Sequence, residues 1–198
     1  MSDPNVDLEP KPVVPEALPP AASSAVNRRI LFWVLLIALV ALDQIVKAWS
    51  RGAADGFQGR TFLTLWPGVF ELKLTFNEGI AFGWLQGGGV FLAPVAIAIA
   101  GGAVWYNISH PQESRWAHTS AALLAAGALG NLYDRVVQHR VTDMFYFRLI
   151  DFPVFNVADA CITVAACMLI LSWIREAAQP QQKPLEVPAP ETPAPTTE

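Results

Sequence analysis

Four long apolar stretches separated by short polar segments dominate the sequence. They run from about Ile30 to Trp49, Val90 to Tyr106, Trp116 to Tyr133 and Val157 to Ile174. Each is near the roughly 20 residues that a helix needs to cross a bilayer. Pro94 is acceptable inside the second stretch, because neighbouring helices can satisfy the backbone groups that it frees. The pattern predicts a mainly α membrane protein with four transmembrane helices.

The segment between the first two apolar stretches follows a different period. Residues Val69 to Phe76 alternate, with leucine and phenylalanine on one face and Glu71, Lys73 and Thr75 on the other. This period of two is typical of a half-buried strand. Thr61 to Trp66 is a plausible partner strand, since the Pro-Gly pair between the two segments indicates a turn. We expect a small extracytoplasmic β-sheet between helices one and two, resting on the outer membrane surface.

The two ends of the chain have the composition of disordered tails. Residues 1–27 contain six prolines and residues 177–198 contain six more, without apolar periodicity. Such segments bury too little surface to offset the entropy of ordering. The prediction is therefore one four-span domain over residues 28–176. The first apolar stretch lacks a following small-residue cleavage site, so we expect it to stay in the membrane as an anchor.

Orientation depends on the position of basic residues, because their totals on the two predicted sides are about equal. Arg28 and Arg29 directly precede the first apolar stretch, which usually dominates topology. This places both termini in the cytoplasm. The ends of spans one and three, and the start of span four, then lie at the extracytoplasmic face.

Composition and charge restrict the possible partners. The chain is 53% hydrophobic and 15% charged, with a net charge of -4 and no basic block that would follow a phosphate backbone. Nucleic acid is therefore not an expected partner. Cys161 and Cys167 lack the spacing of a metal site or redox pair and are interpreted as core residues. The three histidines, at positions 110, 118 and 139, fall at different depths, so no metal site and no cofactor are predicted.

The unusual polar residues of the apolar region gather at one predicted membrane face. The opposite face offers only ordinary loop residues, His110, Glu113 and Arg115. Ionisable groups next to lipid are costly and are usually kept for function. The gathered residues are Asp43, Lys47, Asn77, Asn131, Asp134, Arg135, Asp143, Asn156 and Asp159.

Several of these residues also have a purely structural interpretation. Asp43 and Lys47 have the i, i+4 spacing of an ion pair. Asn156 and Asp159 have the spacing of an N-cap residue and its N3 acid. Asp143 has no such local explanation, since it lies in a loop between apolar residues near the bilayer, and we interpret it as functional.

A second group, at the end of the third apolar stretch, is also open to both interpretations. Asn131, Asp134 and Arg135 share one helical face through their i+3 and i+4 spacing. They could simply form part of the scaffold. We favour a role in supporting the site.

Five short motifs, in order over about 120 residues, resemble the bacterial lipoprotein signal peptidases, also called signal peptidase II, which are aspartyl peptidases. Each motif alone is weak, whereas five of them on a four-span frame are highly specific. The resemblance covers about residues 29–175 and leaves the tails unexplained. The motifs are Asp43-Gln44-Ile45-Val46-Lys47, Asn77-Glu78-Gly79-Ile80-Ala81-Phe82, the run from Gly127 to Arg135, Val141-Thr142-Asp143 and Phe155-Asn156-Val157-Ala158-Asp159.

The resemblance implies a catalytic pair formed by Asp143 and Asp159. It implies a prolipoprotein substrate bearing diacylglycerol, cleaved just before the lipidated cysteine in the inner membrane, and sensitivity to globomycin. A monomer in contact with membrane lipids is expected. The residues expected to shape the site are Asp43, Lys47, Asn77, Gly79, Asn131, Asp134, Arg135 and Asn156.

Two further hypotheses concern this site. The dipole at a helix N-terminus favours Asp159 as the anion, so Asp143 would carry the shared proton. The predicted sheet over residues 61–76 could hold the substrate segment, and Gly87 to Gly89 could let that region move.

Three other classes of protein compete with this interpretation. A proton-coupled carrier also uses paired membrane acids, but these should line a route near mid-membrane. Another intramembrane aspartyl protease would need a Gly-x-Gly-Asp motif, which the sequence lacks. A four-span scaffold without activity would not require Asn77, Asp143 and Asp159 together.

Overall fold

The computed structural model of the protein describes residues 21–79 and 92–178. Within these residues, four α-helices carry the fold, with a three-stranded antiparallel sheet at one end. A short 3-10 helix at Arg148–Ile150 joins the last strand to the last helix. The elements are α1 (Ala21–Ala53), β1 (Thr61–Trp66), β2 (Phe70–Asn77), α2 (Ala93–Ser109), α3 (Arg115–Gln138), β3 (Val141–Phe147) and α4 (Val157–Ala177).

Helix α3 lies at the centre of the helical part and contacts α1, α2 and α4. Its buried face is made mostly of alanine and glycine. Small side chains allow backbones to approach closely, which is how helices commonly pack inside membranes. At Gly127, an added Cβ would lie 2.5 Å from the backbone oxygen of Ala158 on α4. Phe32 and Leu36 of α1 pack against the alanines of α3 in the main apolar core.

Two helices are long and apolar enough to cross a membrane within the described part of the chain. They are Ala25–Ala53 of α1 and Val157–Ala177 of α4. Only 22% and 17% of the residues in their most apolar stretches are buried inside the protein. Because a core helix of a soluble protein would be mostly buried, this exposure fits contact with lipid. Helix α2, at 17 residues, is apolar but shorter.

The sheet has β2 at its centre, paired antiparallel with β1 on one side and β3 on the other. The predicted strand over residues 61–66 and the predicted turn that follows it are confirmed. On β2, Leu72, Leu74 and Phe76 are buried as expected. Glu71, expected on the open face, is also buried and pairs with Arg148 at 2.8 Å.

The third strand was not predicted from the sequence, which indicated no strand over residues 141–147. The sequence placed Asp143 in a loop, whereas the structure places it in β3, where it is the register partner of Thr75. Thr142 and Asp143 are adjacent polar residues and interrupt the alternation that marks a strand. The strand forms because β2 supplies a partner from more than 60 residues earlier in the chain, and such a distant pairing leaves no local pattern. The sheet therefore does not belong only to the segment between helices one and two.

Helix boundaries differ from the predicted spans in one main respect. Helix α1 begins at Ala21, so residues 21–27 are helical although the sequence assigned them to the tail. Alanine and serine without proline can continue a helix whose apolar part lies further along the chain. The remaining predicted tail, residues 1–20 and 179–198, lies outside the described residues, as do Gly87 to Gly89 and the first two residues of the predicted second span.

Candidate active site

The two acids that the sequence singled out lie on different elements and meet around one asparagine. Asp143 is on β3, and Asp159 is in the first turn of α4. The side-chain amide of Asn156 donates to Asp143 Oδ1 at 2.6 Å, and its backbone N–H donates to Asp159 Oδ2 at 3.2 Å. A single residue therefore contacts both carboxyl groups. Asp143 is 2% exposed, whereas Asp159 is half-buried.

The start of α4 fixes this arrangement. Asn156 has extended backbone angles, and its side-chain oxygen accepts the N–H of Asp159, while the Asp159 carboxylate accepts the N–H of Asn156. This reciprocal capping box satisfies two backbone donors that a helix N-terminus otherwise leaves free. The capping interpretation from the sequence is confirmed. The side-chain nitrogen of Asn156 takes no part in capping, and it donates to Asp143. Asn156 therefore both caps α4 and links the two acids.

Asn131 on α3 lies at the centre of the polar network beneath the two acids. Its side-chain N–H donates to Asp159 Oδ1 at 2.8 Å. Its side-chain oxygen accepts from Lys47 Nζ at 3.0 Å and from Asn156 at 3.1 Å. All three helices that contribute to the site, α1, α3 and α4, are thus joined through one amide group.

Lys47 is fully buried and is held by two acids. Its Nζ lies 2.8 Å from Asp43 and 3.3 Å from Asp134. Asp43 in turn accepts the backbone N–H of Ala158 at 2.9 Å, and Asp134 accepts that of Thr142 at 2.9 Å. The predicted pairing of Asp43 with Lys47 is confirmed. The ion pair also ties α1 to the elements that carry Asp143 and Asp159.

The close approach of Asp43 to α3 requires a glycine. A Cβ added to Gly130 would lie 2.7 Å from Asp43 Oδ2. The carbonyl of Gly130 also accepts from Gln44 at 3.1 Å and from Lys47 at 3.5 Å. A larger residue at this position would separate the buried ion pair from the helix that carries Asn131.

A cavity of about 1310 Å³ opens over the two acids. Asn77 and Arg135 lie in its wall, and both contact Gly79, whose N–H donates to Asn77 and whose carbonyl accepts from Arg135. Much of the remaining wall is apolar. It includes Phe147, Ile150, Phe152, Pro153, Val154, Phe155, Ile162 and Val164.

Burial and neighbouring charge change the acidity of Asp143. Burial is the main cause that raises its pKa, to about 8, and the negative charge of Asp159 raises it further. Hydrogen bonds from Asn156 and Asn77 and the positive charge of Lys47 act in the opposite direction. The raised pKa favours the protonated form of Asp143, which suits a proton donor.

The structure brings together all ten residues that the sequence proposed for the site. Seven share a network made largely by their side chains, and Arg135 joins it by donating to the backbone oxygen of Asn131 at 3.3 Å. Gly79 accepts from Arg135 and donates to Asn77, so these two residues are linked to the same network. The seven are Asp43, Lys47, Asn131, Asp134, Asp143, Asn156 and Asp159. Within residues 21–79 and 92–178, the structure shows no group of three or more His, Cys, Asp or Glu side chains placed to hold a metal ion.

Two sets of polar residues were not predicted from the sequence. Gln44 and Arg51 extend the network, since Gln44 contacts Asp43 and Arg51 donates to Thr142 at 2.9 Å. Gln44 belongs to the first of the five motifs, so that motif could have indicated it. At the opposite end of the bundle, Asn107 and His118 are fully buried and hydrogen bonded at 2.9 Å. That end is therefore not only a solvated loop.

The sequence matches a known protein family over most of its length. The family model described as signal peptidase (SPase) II matches residues 35–175. The chain belongs to this family. The signal peptidase II family consists of membrane aspartic proteases, so the enzyme class expected from the five motifs is confirmed. A carrier function finds no support in these comparisons.

Curated relatives and solved structures agree with this membership. A lipoprotein signal peptidase of Gloeobacter violaceus is 36% identical over 163 residues, which cover 82% of this chain and 88% of that protein. One from Streptococcus pneumoniae is 33% identical over 76% of this chain and 96% of its own length. A solved structure described as a bacterial membrane enzyme, obtained by the in meso method at 2.3 Å, has 27% identity and a TM-score of 0.70. It covers 77% of this chain and 92% of its own.

Proposed function

We propose that this signal peptidase II removes the signal peptide from prolipoproteins, with Asp143 and Asp159 as its catalytic residues. The observation that carries the proposal is that Asn156 contacts both carboxyl groups at the wall of one large cavity. Two acids on different elements, β3 and α4, are thereby brought to one point. Names given to the relatives, lipoprotein signal peptidases, support the same substrate class.

The chemistry is hydrolysis of an amide by two carboxyl groups acting as acid and base. One carboxylate takes a proton from water, whose oxygen attacks the scissile carbonyl carbon, while the protonated partner donates to the carbonyl oxygen. A tetrahedral intermediate with two hydroxyl groups results. Its C–N bond breaks as the amine receives the proton taken from water, and the other acid recovers its own proton. Neither residue forms a covalent bond to the substrate.

The size and lining of the cavity support a lipid-bearing substrate. Its volume of about 1310 Å³ exceeds the roughly 300–1,000 Å³ typical of sites for small ligands. Polar groups gather near Asp143 and Asp159, whereas Phe147, Ile150 and Phe152 offer apolar surface to one side. An extended peptide could lie over the acids, with the diacylglyceryl group of its cysteine against the apolar wall. We expect cleavage just before that cysteine.

The proposed membrane arrangement has four crossing helices and both termini in the cytoplasm. Helix α3 lies between α1, α2 and α4 and reaches the site with its C-terminal turns, which supports its inclusion among the spans. The sheet and the two acids then lie at the extracytoplasmic face. The signal peptide of a prolipoprotein ends at this surface, so the bond to be cut and the acids share one depth.

Asparagine substitutions at the two acids test the proposal. Purified Asp143→Asn and Asp159→Asn proteins should each lose at least about 100-fold in the cleavage rate of a diacylated prolipoprotein, because general acid or base catalysis contributes about 100-fold to 10,000-fold. Exposed Glu176→Gln is the matched control and should cleave normally. Globomycin should inhibit the wild-type protein. Wild-type cleavage by either aspartate variant would rule out the site assignment.

A further inference from the structure

The amide of Asn131 can be oriented in only one way. Its oxygen lies 3.0 Å from Lys47 Nζ, and an ammonium group only donates hydrogen bonds. The oxygen must therefore face Lys47, which turns the amide nitrogen to Asp159, 2.8 Å away. Asn156 donates to the same oxygen at 3.1 Å and favours the same orientation.

This orientation treats the two catalytic candidates unequally. Both oxygens of Asp159 accept N–H groups, one from Asn131 and one from the backbone of Asn156. A carboxyl group whose two oxygens both accept is best satisfied as the anion, since its protonated form must use one oxygen as a donor. Asp159 also lies at the N-terminus of α4, where the helix dipole favours negative charge.

Asp143 lies in a different environment. It is on a strand rather than at a helix end, and only 2% of it is exposed. Burial disfavours its charged form, which is consistent with its raised pKa of about 8. The two acids thus differ in ways that assign them separate roles.

We propose that Lys47 is a positioning residue that, by fixing the amide of Asn131, makes Asp159 the base that takes the proton from water and leaves Asp143 as the acid. This assignment rests on the proposed function, because it presumes that both acids catalyse. In the first step Asp159 removes a proton from water and Asp143 gives its proton to the carbonyl oxygen. When the C–N bond breaks, Asp159 passes its proton to the amine and Asp143 recovers one from the intermediate.

Other charged groups face the two acids from each neighbouring element. They contribute to any measured pH profile. Among the described residues they are Asp43 and Lys47 on α1, Glu78 after β2, Asp134 and Arg135 on α3, and the Cys161 thiol on α4.

Two substitutions at Lys47 separate its hydrogen bond from its charge. Lys47→Gln removes the charge but keeps a donor that can reach Asn131, whereas Lys47→Met removes both. The methionine variant should lose on the order of 100-fold in kcat with little change in KM, as expected when a catalytic group is misplaced. The glutamine variant should retain most of kcat. Ser50→Ala, a buried substitution on the same helix outside the network, is the control and should change neither constant.

The protonation order gives a readout that a purely structural role would not change. In detergent micelles, carboxyl carbon NMR of labelled aspartates should show that the proton of the pair resides on Asp143, whose pKa is raised to about 8. The glutamine variant should keep this order. In Lys47→Met, Asp159 should begin to share the proton, and the acidic limb of the kcat/KM profile should move to higher pH.

A second variant keeps the test decisive if Lys47→Met does not fold. Asn131→Leu leaves Lys47 with its two acids but removes the donor to Asp159, and it should reproduce the loss of kcat and the change in protonation order. The proposal is overturned if Asp159 is the neutral partner in the wild type. It is also overturned if the protonation order of Asp143 and Asp159 is the same in all variants. Loss of cleavage in both Asp143→Asn and Asp159→Asn, together with a reversed protonation order, would reject the assignment of acid and base but keep the catalytic pair. Normal cleavage by either of these two variants would reject both the assignment and the pair.

Discussion

Replacing Asp143 with asparagine should remove the contribution of this acid to the pH dependence of stability between about pH 4 and pH 8. The pKa of this acid rises from 3.8 to about 8, because it is buried and faces Asp159. The native state therefore binds the proton more tightly than the unfolded chain does. Above a pH of about 4 the unfolded chain releases this proton while the native protein keeps it, so the free energy of unfolding falls as pH rises, until the native acid also ionises near pH 8.

The size of the effect follows from the same pKa. Each tenfold change in proton affinity corresponds to about 1.4 kcal/mol, so a rise from 3.8 to about 8 gives an upper limit of about 6 kcal/mol across this window. Asparagine has nearly the same shape and cannot ionise, so Asp143→Asn should flatten the curve.

Denaturant titrations in detergent micelles at a series of pH values would measure this effect. The wild-type protein and Asp143→Asn should differ in slope, with the variant gaining relative stability as pH rises. Glu176→Gln, at an exposed position of α4, should run parallel to the wild type. Parallel curves for wild type and Asp143→Asn would refute the reasoning, because burial would then not affect the charge of Asp143.

Two predictions concern packing away from the acids. Gly127→Ala should destabilise the protein by about 1–3 kcal/mol, because the new methyl group meets the backbone of Ala158 at 2.5 Å; Gly101→Ala, with nothing within 4 Å, should instead stabilise it by about 0.5–1 kcal/mol. Asn107→Leu should cost about 1–3 kcal/mol by leaving buried His118 without its partner, and adding His118→Leu should recover most of this. Thermal unfolding measures both, and a stabilised Gly127→Ala or an additive double variant would contradict them.

The sequence predicted the helices well, because long apolar stretches bounded by polar segments are local signals. It also predicted the strand over residues 61–66, where proline and glycine mark the following turn. Strand β3 was not predicted, because its partner β2 is distant in the chain and the adjacent Thr142 and Asp143 break the alternation. Pairings of this kind depend on the tertiary fold and leave little trace in a local window.

The candidate site was predicted as a list of residues but not as a set of contacts. The spacing of Asn156 and Asp159 indicated the capping box directly. Nothing in the spacing indicated that the same asparagine also reaches Asp143, or that Lys47 contacts Asn131 as well as Asp43. Those contacts depend on how α1, α3 and β3 pack together, and only three-dimensional positions supply that information.

The bond from the backbone N–H of Ala158 to the carboxylate of Asp43 joins residues 115 positions apart. A chain whose synthesis has not yet reached α4 contains Asp143 but lacks its partner acid. Even after synthesis is complete, the bond between Asp43 and Ala158 forms only when the first and last helices have met. The proposed catalytic pair is therefore complete only once the last helix of the chain has been made.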